Sequence, residues 1–220
     1  TTGNFYKTES DIETSVNGIY SALTQSYYFT YNHYFTDVRA NATIVKDAGA
    51  VSGIPYQFYN FTLTEENSYV YNRYAQMYKT VSRANKVLSH IDDVVWSSKD
   101  SRDICEAEAK FLRALTYFYL VTEWGDVPLV MKDLTTTAEV KANNVRTPKA
   151  DVYKAIAEDL EAVVSGPIMD FPSASVCGRA SKAAAYALLG KVFLQQACDE
   201  DFSGEKDGLL KSAETSLKKA

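Results

Sequence analysis

Apolar residues recur at helical spacing through most of this chain. Ile12, Val16, Ile19, Tyr20 and Leu23 share one face and predict a helix over about 9–25, with Thr8 or Ser10 as its cap and Asp11 and Glu13 in its first turn. A second helix over about 68–91 carries Tyr71, Tyr74, Tyr78, Val81 and Leu88 as a buried stripe, and Asn85 on that stripe needs hydrogen-bond partners. A third, over about 101–123, has a wide face of Ile104, Ala107, Phe111, Ala114, Leu115, Phe118 and Val121. Trp124-Gly125 ends it and Pro128 prevents its return. After a polar connection at 132–147, Pro148 opens a fourth helix through Val152, Ile156, Leu160 and Val163, stopped by Gly166-Pro167. Two more are expected over about 179–197 and 207–220.

Between these helices one long stretch breaks the period. From about 26 to 67 the pattern predicts an irregular loop, interrupted by Val-Ser-Gly-Ile-Pro at 51–55. Loops of such length are functional or disordered, and the aromatic content argues against disorder.

The second half carries echoes of a helix-pair repeat. Leu189-Gly190-x2-Phe193 and Ala213-x3-Leu217-x2-Ala220 fit the two helices of a tetratricopeptide (TPR) unit, in which small residues permit close approach. Ala107-x3-Phe111-x2-Ala114 and Ile156-x3-Leu160-x2-Val163 echo the second helix. The expected fold is all-α: TPR-like stacked helix pairs within about 68–220, plus the aromatic-rich loop insertion, in one domain over 1–220. No capping segment follows the last helix, so the chain is expected to be a piece of a longer protein.

Composition narrows the function. The net charge of −5 argues against nucleic-acid binding, which needs clustered Lys and Arg. No apolar run reaches the length of a membrane span, and Thr1-Thr2-Gly3 opens no export leader. Cys105, Cys177 and Cys198 are odd in number, lack metal-ligand spacing and read as structural. His33 and His90 have no metal-spaced partner, so neither metal nor cofactor is expected. No nucleophile elbow, P-loop or zinc-protease motif occurs. The acid pairs Glu65-Glu66 and Asp92-Asp93 read as solvated charge rather than a glycosidase pair, and no catalytic residue is assigned.

Several stretches resemble the SusD/RagB family. Glu108 through Phe118, followed by Trp124-Gly125-Asp126-Val127-Pro128-Leu129-Val130, is similar to its hallmark helix and exit. Arg146-Thr147-Pro148 with Val152-Tyr153-x2-Ile156-x2-Asp159-Leu160, and Gly178 through Val192, resemble its following helices. The front, Phe5 through Tyr20 and then Tyr78-x2-Val81-x-Arg83-Ala84-Asn85-x2-Leu88, fits as well. The resemblance implies a non-catalytic surface lipoprotein of the outer membrane of Bacteroidetes-type bacteria. It would be anchored through a lipidated Cys upstream of Thr1 and seated over a SusC-like TonB-dependent transporter. Its ligand would be an oligosaccharide or, in some members, an oligopeptide. A TPR-type scaffold for protein partners is the competing class. Tyr71 stands where many members carry Trp, and contact positions do not transfer.

Sugar capture uses flat aromatic faces against pyranose rings and polar groups on the hydroxyls. Only the 31–66 part of the irregular stretch combines loop character with that chemistry. Tyr56, Phe58, Tyr59 and Asn60 are the candidate contacts there, with Asp37, Arg39 and Asn41 beside them. Gln57 is a further polar group, and Phe61 is expected to pin the loop. Asp37 and Arg39 would serve equally well as an ion pair. Trp124, Arg113 and Glu108 read as structural.

Overall fold

The computed structural model describes residues 5–45, 53–172, 174 and 177–220. The Thr1-Thr2-Gly3 start and positions 46–52, with the first two residues of the predicted break, lie outside them. The α-helices are α1 Glu9–Leu23, the single turn α2 Tyr56–Tyr59, α3 Ser68–His90, α4 Lys99–Trp124, α5 Thr137–Asn143, α6 Lys149–Ser165, α7 Lys182–Ala197 and α8 Lys206–Leu217. Five-residue π-turns occupy Ser26–Thr30 and Tyr34–Val38, and a 3-10 segment runs over Glu200–Glu205. No helix is long and apolar enough to cross a membrane.

The chain divides into two compact units, residues 1–19 with 81–220, and residues 20–80. In the larger unit α4 packs on α6, α6 on α7 and α7 on α8, which is the stacked helix-pair architecture that the echoes predicted. Serine hydroxyls cap two of these helices: Ser98 accepts from Ser101 N at 3.0 Å and Ser181 from Ala184 N at 3.2 Å. Leu112, Leu120, Ile156 and Leu160 are fully buried at the seam, each contributing about 1.5–3 kcal/mol relative to exposure. Gly190 allows the close approach of α7 and α8. A Cβ there would lie 2.6 Å from Leu217 Cγ and 3.3 Å from the Ala213 carbonyl.

Polar groups inside this unit are satisfied by one another. Arg113 grips Asp159 with Nε and Nη2, both at 2.8 Å, and donates through Nη1 to Asn85 Oδ1 at 2.7 Å. Asn85 in turn donates to the carbonyls of Val130 (2.8 Å) and Lys132 (3.1 Å), which supplies the partners its stripe position demanded. Tyr117 Oη donates to the Val130 carbonyl at 3.0 Å and accepts from its N–H at 2.6 Å. Arg179 spans Glu108 (2.9 Å) and Asn17 (2.6 Å). Arg113 and Glu108 are therefore structural, as their helix positions suggested.

Gly125, at φ +69°, turns the chain out of α4 in the left-handed region glycine favours. Val127 then forms an antiparallel bridge with Thr147, and Asp126 accepts from Lys149 N at 2.9 Å at the start of α6. The connection between them is not wholly irregular. Thr136 and Glu139 form a reciprocal capping box, and α5 follows.

One expectation fails on α3. Tyr71 is 70% exposed, and the buried face is Arg73, Met77, Thr80, Val81, Ala84, Asn85 and Val87. Hydropathy misplaced the stripe because a fully buried arginine leads it. Phe61 also departs from expectation: it is 65% exposed and pins nothing. At φ +58° it takes the left-handed position after α2, while Thr62 N closes the turn on the Gln57 carbonyl at 3.1 Å.

Candidate functional site

The site is built within residues 20–80. Asn67 sets its frame. Its side-chain Oδ1 accepts from Tyr69 N (3.0 Å) and Val70 N (3.3 Å) at the start of α3. Its amide donates to Gln57 Oε1 (2.8 Å) and the Ile54 carbonyl (3.3 Å). The turn α2 is thereby fixed to the head of α3. Gln57 thus has a scaffold bond rather than a free amide.

Phe58 was a candidate contact, but it is fully buried. Its ring lies 4.8 Å from Phe35, 5.8 Å from Tyr34 and 6.4 Å from Tyr69. A single helical turn has one inward face, and its most apolar ring took it. Tyr56 and Tyr59 remain half-buried with rings 5.5 Å apart. Asn60 is exposed, and its Oδ1 accepts from Thr62 N at 3.2 Å and Thr62 Oγ1 at 2.5 Å.

Asp37, Arg39 and Asn41 are all exposed around the end of the second π-turn. The Asp37 carbonyl accepts from Ala42 N (2.8 Å) and Thr43 N (3.3 Å), and Asn41 sits at φ +57°. No ion pair joins Asp37 to Arg39 among the described residues. The structure therefore gathers Tyr56, Tyr59 and Asn60 on one turn and leaves the other three on a separate one.

The densest aromatic surface was not among the candidates. Tyr69 lies against three tyrosines, with centroids 5.0 Å from Tyr31, 5.4 Å from Tyr34 and 5.6 Å from Tyr27. Tyr31 also meets Tyr27 at 5.3 Å and Tyr34 at 6.2 Å. All four are half-buried, so each ring is held by packing yet keeps a solvent edge. Burial pushes the Tyr69 phenol above its ordinary pKa, and the nearby Tyr31, Tyr34 and Tyr27 phenols push it further. The Tyr69 phenol is therefore uncharged at neutral pH, and a phenol can both donate and accept a hydrogen bond. A signal for it existed in the sequence: Tyr27, Tyr31 and Tyr34 stand at i, i+4 and i+7, which is helical spacing.

Among the described residues, this arrangement offers flat faces and hydroxyls and no acid–base pair. Among the described residues, no group of three His, Cys, Asp or Glu could hold a metal ion.

Comparison with known proteins adds to this geometry. Residues 4–194 match the family model described as "Starch-binding associating with outer membrane", the SusD-like family. SusD-like protein P2 of Formosa agariphila is 29% identical over 193 residues, covering 87% of this chain and 37% of that protein. A SusD-like protein of Bacteroides ovatus is 29% identical over 142 residues, covering 63% of this chain and 24% of that one. Among solved structures, a laminarin-binding SusD-like protein superposes with a TM-score of 0.78 at 27% identity, over 96% of this chain and 43% of that one. A SusD homolog from Bacteroides thetaiotaomicron gives 0.77 at 23% identity, over 98% of this chain and 41% of that one, a likeness of fold. The chain spans less than half the length of each of these relatives.

Proposed function

We propose a glycan-binding role for this chain, which belongs to the SusD-like family. It contributes part of a non-catalytic, surface-exposed oligosaccharide-binding subunit on the outer membrane. A lipidated cysteine upstream of Thr1 anchors that protein, and a SusC-like TonB-dependent transporter receives the captured glycan. Tyr27, Tyr31, Tyr34 and Tyr69 form the platform, and Tyr56, Tyr59 and Asn60 extend it. Asp37, Arg39 and Asn41 supply outlying hydrogen-bond groups.

The observation that carries this reading is four half-buried tyrosine rings in mutual contact on one unit. Held rings lose little freedom when a sugar stacks on them, and their phenols can meet ring hydroxyls. A binder needs no titrating acid–base pair. The laminarin-binding relative makes a β-glucan the first ligand to try.

Calorimetry of the 220-residue chain with laminarin, a maltooligosaccharide and a peptide mixture tests the proposal. The expected result is saccharide binding that weakens about tenfold in Tyr31→Ala and in Tyr69→Ala. Wild-type affinity in both variants, or binding of peptides alone, would remove the reading.

A further inference from the structure

The tyrosine platform has a second row beneath it. The outer row is Tyr27, Tyr31 and Tyr34, each packed near Tyr69. Displaced by one residue is an inner row of Tyr28, Asn32 and Phe35, and all three meet Arg73. Its Nη1 donates to the Tyr28 carbonyl and, at 3.5 Å, to the Tyr27 carbonyl. Nη2 donates to Asn32 Oδ1 at 2.7 Å, and the guanidinium lies 4.5 Å from the Phe35 ring centroid. Arg73 is fully buried. It stands four residues after Tyr69, on the same face of α3. The helix thus offers a phenol to the outer row and a guanidinium to the inner one.

We infer that Arg73 is the positioning residue of this platform, the group that locks both π-turns in the register that lines up Tyr27, Tyr31 and Tyr34 over Tyr69. Tyr28 belongs to the first turn, Phe35 to the second and Asn32 to the link between them. A planar fork with five donors reaches all three at once, whereas an ammonium is a single point charge that reaches one. The π-turn itself demands such a device. Its i→i+5 closure, Tyr31 N to the Ser26 carbonyl at 3.0 Å, is rare and persists where the surroundings fix it. The guanidinium fixes the first turn through its backbone carbonyls and the second through the Asn32 and Phe35 side chains. Its role in ligand capture rests on the glycan-binding reading above. Its role in aligning the rings does not.

The test compares Arg73→Lys, Arg73→Met and Asn32→Ala in the 220-residue chain, read by tyrosine absorbance titration, laminarin calorimetry and far-ultraviolet circular dichroism. In the wild type, burial is expected to make the Tyr69 phenol ionise above the ordinary tyrosine range, as it does Tyr153, so the Tyr69 share is assigned by difference against Tyr69→Phe. Arg73→Lys and Arg73→Met are expected to keep the helical signal, bring that late ionisation back toward the ordinary range and weaken laminarin binding about tenfold. Asn32→Ala removes one acceptor without stranding a buried charge, and is expected to weaken binding about threefold. Wild-type titration and affinity in Arg73→Lys, alongside lost binding in Tyr31→Ala, would overturn the inference while sparing the platform. If Tyr31→Ala and Tyr69→Ala bind like wild type, the glycan reading falls and the titration alone decides the role of Arg73: an unmoved Tyr69 sinks it, a shifted one upholds it. Should both Arg73 variants fail to fold, Asn32→Ala decides by the same two readouts.

Discussion

Two buried arginines show how differently the two units are held. Arg113 in the helix-pair unit meets a carboxylate of equal burial, Asp159, in a two-pronged ion pair between α4 and α6. Arg73 in the aromatic unit donates to two backbone carbonyls and an amide oxygen and lies against a ring, all drawn from short turns far off in sequence. In the first case charge answers charge between regular helices. In the second a cation organises backbone that has no regular ladder of its own. The comparison teaches that the regular part can be altered through its pairs. The irregular part answers to its hub.

The largest effect should come from splitting the ion pair. Asp159→Ala strands Arg113 in the interior and is expected to cost about 3–5 kcal/mol of stability in urea unfolding. A cost below 1 kcal/mol would mean that Arg113 is satisfied by Asn85 and the Met131 carbonyl alone, and the contrast with Arg73 would collapse.

Crowding the helix seam comes next. Gly190→Leu has no space against Leu217 and the Ala213 carbonyl and should cost about 1–3 kcal/mol. Leu217→Ala in the same chain should recover part of that loss, since Leu217 is half exposed and its side chain is the nearest obstacle. Laminarin affinity should not move, because the seam and the platform belong to different units. A parallel loss of binding would show that the aromatic unit depends on the helix stack.

The smallest effect is chemical. Burial, with Glu108 and Glu13 nearby, pushes the Cys105 thiol up to about 12. Its thiolate is therefore scarce at mildly alkaline pH. Cys177 and Cys198 are exposed. Iodoacetamide followed by mass spectrometry should mark those two and spare Cys105 until the chain is unfolded. Equal labelling of all three in the native chain would contradict the tight packing of α4.

The helix-pair unit was legible because its apolar residues repeat at one period and its breakers stand where helices end. Gly190 could even be read as a close-approach position before any coordinates. The aromatic unit was less legible for three physical reasons. Arg73 is polar by hydropathy yet buried, so the stripe on α3 was drawn through the exposed Tyr71. The two π-turns are only five residues each, too short to sustain a helical pattern, so Tyr27, Tyr31 and Tyr34 sat unrecognised in a stretch read as loop despite their helical spacing. Phe61 adopts a left-handed backbone that its residue type does not advertise. Of the proposed contacts, Tyr56, Tyr59 and Asn60 keep solvent access and Phe58 does not, because nothing in a stretch where Tyr56, Phe58, Tyr59 and Phe61 crowd together says which ring will turn inward. The capping box at Thr136 and Glu139 was in plain view but followed by too few apolar residues to announce α5.

The clip between Val127 and Thr147 makes the excursion it encloses a closed lobe with a fixed neck. Beyond Lys132, whose carbonyl is still held by Asn85, the lobe is free to change length with little strain on the helices that flank it. Doubling such a loop costs only about 0.6 kcal/mol in closure entropy. Related chains could therefore vary here widely while keeping the same stack, and an epitope or fluorophore placed near Val140, itself half exposed, would report on the protein without disturbing the helices that flank the lobe.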